Sequence, residues 1–312
     1  MTTVAWIGLG NMGSRMATHL ISAGHTVRGY DVSPQATSAA QEAGLQVAGS
    51  IAEAVDGADV VVTMVPKGDH ARAVYLGSDG EQGVFDHAAP GAVLIDSSTI
   101  DVATAQELHD EAARRGLAFV DAPVSGGISG AAAGTLTFMV GGLPENVDQA
   151  VPYLEPMAGN VIPTGGPTTG QAAKICNNLM LGINIAAMSE GAVLADRLGL
   201  DRKLFWDIAR VSSGDSWALR TWYPMPGIVE GAASNSDFAA TFSTALMHKD
   251  LGLALAAAEQ TGTPLDFGAL MAERLQQITD AGYGDKDCTA VVKIVDGTLT
   301  AQSPDAQNGT AP

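Results

Sequence analysis

Short, nearly unbroken apolar runs alternate with stretches of helical periodicity through the first half of the chain. Residues 4–7, 26–30, 60–64, 93–96 and 118–122 predict buried strands. The segments between them carry helical spacing and turn signals such as Ser33-Pro34 and Asp56-Gly57. Repeated strand–helix units predict an α/β fold on a parallel, doubly wound sheet with right-handed crossovers. Residues 135–140 and 161–163 predict later strands, Gly141-Gly142-Leu143-Pro144 a turn, and 145–157 a helix. Near Gly165-Gly166-Pro167 the pattern changes. Helical periodicity then covers an unusually long stretch, 170–198, followed by 202–211, 243–260 and 265–281, with a loop-like 213–237 that contains Pro224 and Pro226. The expected organisation is a first domain of residues 1–164, a second, all-helical domain of residues 165–296, and a flexible polar tail, 297–312.

The first turn in this pattern carries chemistry. Gly8, Leu9, Gly10, Asn11, Met12 and Gly13 separate the first strand from a helix-like stretch, 14–22, and Asp31 closes the second strand. Strand, glycine turn, helix, strand and acid at this spacing form a dinucleotide-binding, Rossmann-type fingerprint. Gly8 permits the tight turn, Gly10 lets a pyrophosphate approach the backbone, and Gly13 lets helix and strand pack closely. The N–H groups opening the helix face the diphosphate. A carboxylate at Asp31 accepts both ribose hydroxyls of NAD and repels a 2′-phosphate. No Arg or Lys follows in Val32-Ser33-Pro34-Gln35 to offset it, so NAD is expected over NADP.

Composition narrows the function classes. The 312 residues suffice for two domains, and 46% hydrophobic content with only 5% aromatic and 37 Gly suits closely packed helices. A net charge of −18 argues against nucleic acid and against an anionic membrane surface as partners. It also means that an anionic substrate needs a local positive patch. The two cysteines, Cys176 and Cys288, make no disulfide framework and fit a reducing compartment. The chain opens directly on its first strand, so no leader and a cytoplasmic location are expected. The six His are scattered without metal-ligand spacing, so no metal is expected. No apolar run is expected to span a bilayer, because the longest, 175–188, holds Asn177, Asn178 and Asn184. Cys176 in that run is expected to be buried.

Ligands of doubly wound sheets bind beyond the carboxyl ends of the strands, and a helical partner domain implies a cleft there. Val65-Pro66, Asp96-Ser97-Ser98-Thr99 and Asp121-Ala122-Pro123-Val124-Ser125-Gly126-Gly127 follow strand ends. Ser125-Gly126-Gly127 offers a hydroxyl and successive backbone N–H groups, which suits a carboxylate or an ordinary tight loop after Pro123. Lys174 lies among apolar and amide neighbours, with Asn178 four residues on and on the same helix face. Together they could hold an alcohol oxygen and move its proton; the alternative is a lysine snorkelling from a buried helix. In Met247-His248-Lys249-Asp250-Leu251, Lys249 offers positive potential to a nucleotide or carboxylate, or a local ion pair with Asp250.

Four segments, 8–13, 121–127, 170–178 and 246–251, in this order, resemble the β-hydroxyacid dehydrogenase family over about residues 4–296. The loop Ser213-Gly214-Asp215-Ser216-Trp217, with Tyr223-Pro224-Met225-Pro226-Gly227, Phe238 and Phe242, is similar to members that oxidise 3-hydroxyisobutyrate with NAD. The resemblance implies that Lys174 is the catalytic acid–base with Asn178 assisting. It implies that Ser125, Gly126 and Gly127 bind the substrate carboxylate, and that Val65, Pro66, Thr99 and Lys249 join the glycine turn and Asp31 at the cofactor. A small hydroxy acid as substrate and a homodimer or homotetramer follow from the same resemblance. An ordinary lysine, with pKa ~10.4, is charged at neutral pH; the cofactor's positive ring, Lys249 and burial are expected to lower it. Lys67 after Pro66 departs from the small residue usual there. An NADPH-dependent reductase of a small semialdehyde or glyoxylate, and a non-catalytic NAD-binding module, are the alternatives.

Overall fold

Alternate residues of the first strand, β1 (Thr3–Ile7), feed two different cores: Val4 and Trp6 one, Ala5 and Ile7 the other. Neighbouring strands divide in the same way, which is what a sheet covered by helices on both faces requires. The structure, a computed structural model, describes residues 2–78 and 80–301, so most of the expected tail lies outside the described residues. It divides into two compact units, Met1–Lys174 and Ile175–Pro312. The sequence boundary at about 164 falls ten residues earlier, before a helix that begins in one unit and continues into the other.

In the first unit β1 is followed by α1 (Gly13–Ser22), β2 (Thr26–Tyr30), α2 (Pro34–Glu42), β3 (Gln46–Val47), α3 (Ile51–Val55), β4 (Val60–Thr63), α4 (Gly68–Leu76) and α5 (Val84–His87). Then come β5 (Val93–Asp96), α6 (Val102–Arg115), β6 (Ala118–Asp121), β7 (Val124–Ser125), α7 (Gly127–Ala133), β8 (Leu136–Gly142), α8 (Pro144–Leu154) and β9 (Ala158–Gly165). Six strands are parallel in the order β3-β2-β1-β4-β5-β6, the dinucleotide-binding arrangement. Beyond β6 the sheet becomes mixed: β8 runs antiparallel to β6 and β7, and β9 runs parallel to β8. Local signals set the helix ends. Ser33 accepts from Ala36 N–H ahead of Pro34, and Asp101 caps α6 through Thr104 N–H.

One expectation fails in this unit: Gly141-Gly142 is not a turn but the end of β8. The sequence also does not reveal β3 and β7, which at two residues each are too short to show a period.

The second unit is helical. It takes most of α9 (Thr169–Arg197), then α10 (Arg202–Ala209), α11 (Trp217–Thr221), α12 (Thr244–Thr261), α13 (Asp266–Ile278) and α14 (Val292–Asp296). Its core includes Ile185, Met188, Met247, Leu251, Met271 and Leu275. Residues 213–237 are not all loop: Ser216 caps α11, and Ala233–Ser236 forms a 3-10 turn. By length and composition alone α9 is long and apolar enough to cross a membrane, contrary to expectation. Ile185, Met188, Ala192 and Val193, which α9 contributes to that core, make it a core helix. Cys176 is exposed rather than buried. α9 is apolar around most of its circumference, so hydropathy does not reveal which side turns inward.

Candidate active site

The glycine turn has the geometry its sequence implies. Gly8 sits at φ +99°, and a Cβ there would lie 2.2 Å from the Met64 carbonyl oxygen. A Cβ on Gly13 would lie 1.9 Å from Gly8 O and 2.8 Å from Trp6 Nε1, which itself donates to Gly8 O at 3.0 Å. A Cβ on Gly10 would meet nothing within 4 Å. Among the described residues no packing therefore demands glycine at position 10, whereas a diphosphate lying against the backbone would. α1 opens on Met12 without a side-chain cap, so its first N–H groups remain suited to an anion. Leu9, Asn11 and Met12 complete the turn.

Asp31 follows β2. Its Oδ2 accepts from Leu9 N–H at 2.7 Å and its Oδ1 from Ser33 N–H at 2.8 Å. The carboxylate thus staples the turn to β2 and keeps a further lone pair on each oxygen for ribose hydroxyls. Val32 beside it is 86% exposed. Replacing Asp31→Ser with Val32→Arg is expected to move the NAD/NADP ratio of kcat/KM by about 10-fold or more toward NADP, because a carboxylate that would accept from the ribose hydroxyls is removed and a cation that would pair with a 2′-phosphate is added. Paired steady-state assays with the two cofactors check it.

The loops after β4 and β5 are joined to each other. Val65 N–H donates to Ser98 Oγ at 2.9 Å. Asp96 Oδ1 accepts from Thr63 Oγ1 at 2.6 Å and from Ser98 N–H at 3.2 Å. Pro66 follows Val65 on the exposed side, Lys67 pairs with Asp69 at 3.0 Å, and Thr99 is half-buried between Ser98 and Ile100. Burial pushes the Asp96 carboxyl up to about 6, against lowering by its bonds to Thr63 and Ser98. A folded-state pKa above the unfolded value gives stability that is complete below pH ~3.8 and is lost as pH rises through about 6. Wild type should therefore lose up to roughly 3 kcal/mol relative to Asp96→Asn between pH 4 and 8. Urea unfolding of both proteins across that range measures it.

The substrate-loop candidates follow β6. Ser125 ends β7, and Gly126 and Gly127 take φ of +130° and +62°, values that suit glycine. The first turns of α9 carry Gln171, fully buried, and Lys174, 8% exposed. Gln171 Oε1 accepts from Ile100 N–H at 3.1 Å and its Nε2 donates to Ser98 O at 2.8 Å, so the helix bearing Lys174 grips both sides of Thr99. In the first unit the structure thus links the glycine turn, Asp31, Val65, the Thr99 loop and the start of α9.

Asn178 and Lys249 belong to the second unit. Asn178, one turn beyond Lys174 on α9, donates to Asp250 Oδ2 at 2.5 Å and accepts from Asn177 Nδ2 at 3.1 Å. Lys249 Nζ lies 3.0 Å from Asp250 Oδ1. Asp250 therefore holds both. Its motif showed it only as a local ion-pair partner, since the bond to Asn178 spans 72 residues. The sequence does not single out Gln171, because a buried amide gives no local signal. Among the described residues no group of His, Cys, Asp or Glu is arranged to hold a metal ion.

Comparison with known proteins gives the family. The family of the NAD-binding domain of 6-phosphogluconate dehydrogenase matches residues 3–166. The family described as the NAD-binding domain of NADP-dependent 3-hydroxyisobutyrate dehydrogenase matches residues 168–295. The chain is 42% identical over 299 residues to a 3-hydroxyisobutyrate dehydrogenase of Pseudomonas aeruginosa, covering 95% of this chain and 99% of the relative. It is 41% identical over 298 residues to the NAD-dependent L-serine dehydrogenase of the same organism, covering 96% and 99%. Among solved structures, the Mycobacterium tuberculosis 3-hydroxyisobutyrate dehydrogenase with L-serine superposes with a TM-score of 0.88 at 45% identity, covering 95% of this chain and 99% of that one. With its glycine turn, parallel sheet and helical second unit, the chain belongs to the 3-hydroxyisobutyrate dehydrogenase family of NAD-binding oxidoreductases.

Proposed function

We propose that the protein oxidises the primary alcohol of (S)-3-hydroxyisobutyrate to methylmalonate semialdehyde, a step of valine breakdown, with NAD as acceptor. The observation that carries this reading is the position of Lys174: buried, on a helix whose first turn is hydrogen-bonded on either side of Thr99. The glycine turn and Asp31 would hold NAD, which supplies the acceptor for the carbinol hydride. Val65, Pro66 and Thr99 line the same strand ends. The Ser125 hydroxyl and the backbone of Gly126 and Gly127 bind the substrate carboxylate and fix the reacting carbon. Lys174, neutral at that moment, takes the hydroxyl proton; in reverse its ammonium returns it to the developing alkoxide. Asn178 orients the oxygen, and Asp250 orients Asn178 and Lys249.

L-Serine is the second reading, favoured by the 41% identical L-serine dehydrogenase. It shares the primary alcohol and carboxylate and replaces a methyl by an ammonium. We place the enzyme in the cytoplasm as a homodimer or homotetramer. Exposed Leu194, Leu198, Leu204, Ile208 and Val211 on and beside α9 and α10 support the assembly. Purified protein assayed with NAD and NADP against both 3-hydroxyisobutyrate enantiomers, L-serine and glyoxylate tests the assignment. The highest kcat/KM is expected for (S)-3-hydroxyisobutyrate with NAD. A higher value for L-serine selects the second reading, NADPH-dependent glyoxylate reduction selects the reductase, and no turnover leaves a binding module.

A further inference from the structure

The start of α9 is tied to the sheet by two buried side chains. Asp121, at the end of β6, accepts from Thr168 N–H at 3.0 Å and from Gln171 N–H at 2.8 Å, and is hydrogen-bonded to His109 Nε2 at 2.8 Å. Its carboxylate closes the N-terminal end of the helix, where N–H groups lack intrahelical partners. The Gln171 side chain then reaches the other way, to Ile100 N–H and Ser98 O. The joint is tight: a Cβ on Gly170 would lie 2.4 Å from Met139 O and 2.5 Å from Asp121 O, and one on Gly141 would lie 2.7 Å from Asp121 Oδ1. Asp121 also begins the segment that leads to Ser125. One buried joint therefore links the substrate-loop candidate, the Thr99 loop and the helix of Lys174, which follows Gln171 by three residues and lies on the same side.

We propose that Gln171 is a positioning residue for Lys174, its side-chain amide setting the rotation and height of the first turns of α9 against the loop after β5. The proposal rests on the reading of Lys174 as the proton-transfer group. An amine displaced by about 1 Å costs up to about 100-fold in rate without changing what binds.

Gln171→Met keeps side-chain length and removes both bonds. In the protein with Lys174 it is expected to lower kcat by about 10-fold or more while Kd for NAD and KM for the hydroxy acid stay within about 3-fold. In a Lys174→Ala background the same substitution should change the residual rate by less than about 2-fold, since no amine remains to be placed. Equal losses in both backgrounds, a loss expressed mainly in NAD affinity, or an unchanged kcat overturns the proposal. Near-normal turnover of Lys174→Ala alone removes the reading beneath it, and is distinguished by that single variant. Should Gln171→Met fail to fold, Gln171→Glu carries the same cycle. It keeps the acceptor for Ile100 N–H and loses the donor to Ser98 O, and its kcat is expected to fall between wild type and Lys174→Ala.

Discussion

Lys174→Ala is expected to lower kcat by about 100-fold or more, the usual worth of a positioned acid–base group, with NAD affinity nearly unchanged. The amine is buried on α9, and Gln171 and Asp121 hold that helix to the nucleotide loops through bonds that Lys174→Ala leaves in place. Removing the amine should therefore leave the glycine turn and Asp31 in place. Steady-state turnover with the preferred hydroxy acid, set beside equilibrium titration of NAD, separates the two effects. A variant that turns over within a few-fold of wild type would exclude Lys174 from proton transfer. A variant that loses NAD binding in proportion to rate would assign it to the cofactor instead.

The second large effect is a contrast between two glycines of one turn. Gly13→Ala should be strongly destabilising. Its methyl would sit 1.9 Å from Gly8 O and 2.8 Å from Trp6 Nε1, so both the turn and the indole–carbonyl bond must shift. Overpacking of this kind costs about 1–3 kcal/mol, which corresponds to a fall in Tm of roughly 2–12 °C for a unit of this size. Gly10→Ala should leave Tm within about 1 °C, because its methyl meets no protein atom. It should weaken NAD by about 10-fold or more, because the methyl occupies the approach of the pyrophosphate. Thermal unfolding without cofactor and calorimetric titration with NAD measure the two quantities independently. A Gly10→Ala protein that binds NAD as wild type does would move the diphosphate away from this turn.

Much of the fold was legible because its signals are local. The strands at 26–30 and 93–96 have the bounds the sequence predicted: every residue of 93–96 is buried, and burial alternates along 26–30, and both patterns are local to the segment. The fingerprint was legible for the same reason: Gly8, Gly10, Gly13 and Asp31 lie within one strand–helix–strand unit. Gly141-Gly142 misled because glycine has two uses. It marks turns, and it also marks close backbone approach, which is its use opposite Asp121. Cys176 misled because a helix apolar on most sides gives no phase.

From the sequence alone came the parallel α/β class, the dinucleotide turn with its acid, and the candidacy of Lys174, all encoded in residues a few positions apart. Only the tertiary structure decided what holds that lysine. Asp121 meets Gln171 across 50 residues, Gln171 meets Ile100 across 71, and Asp250 meets Asn178 across 72. Hydrogen bonds between buried polar groups so far apart depend on which strand ends the sheet brings together, and no local spacing of residue types specifies that order.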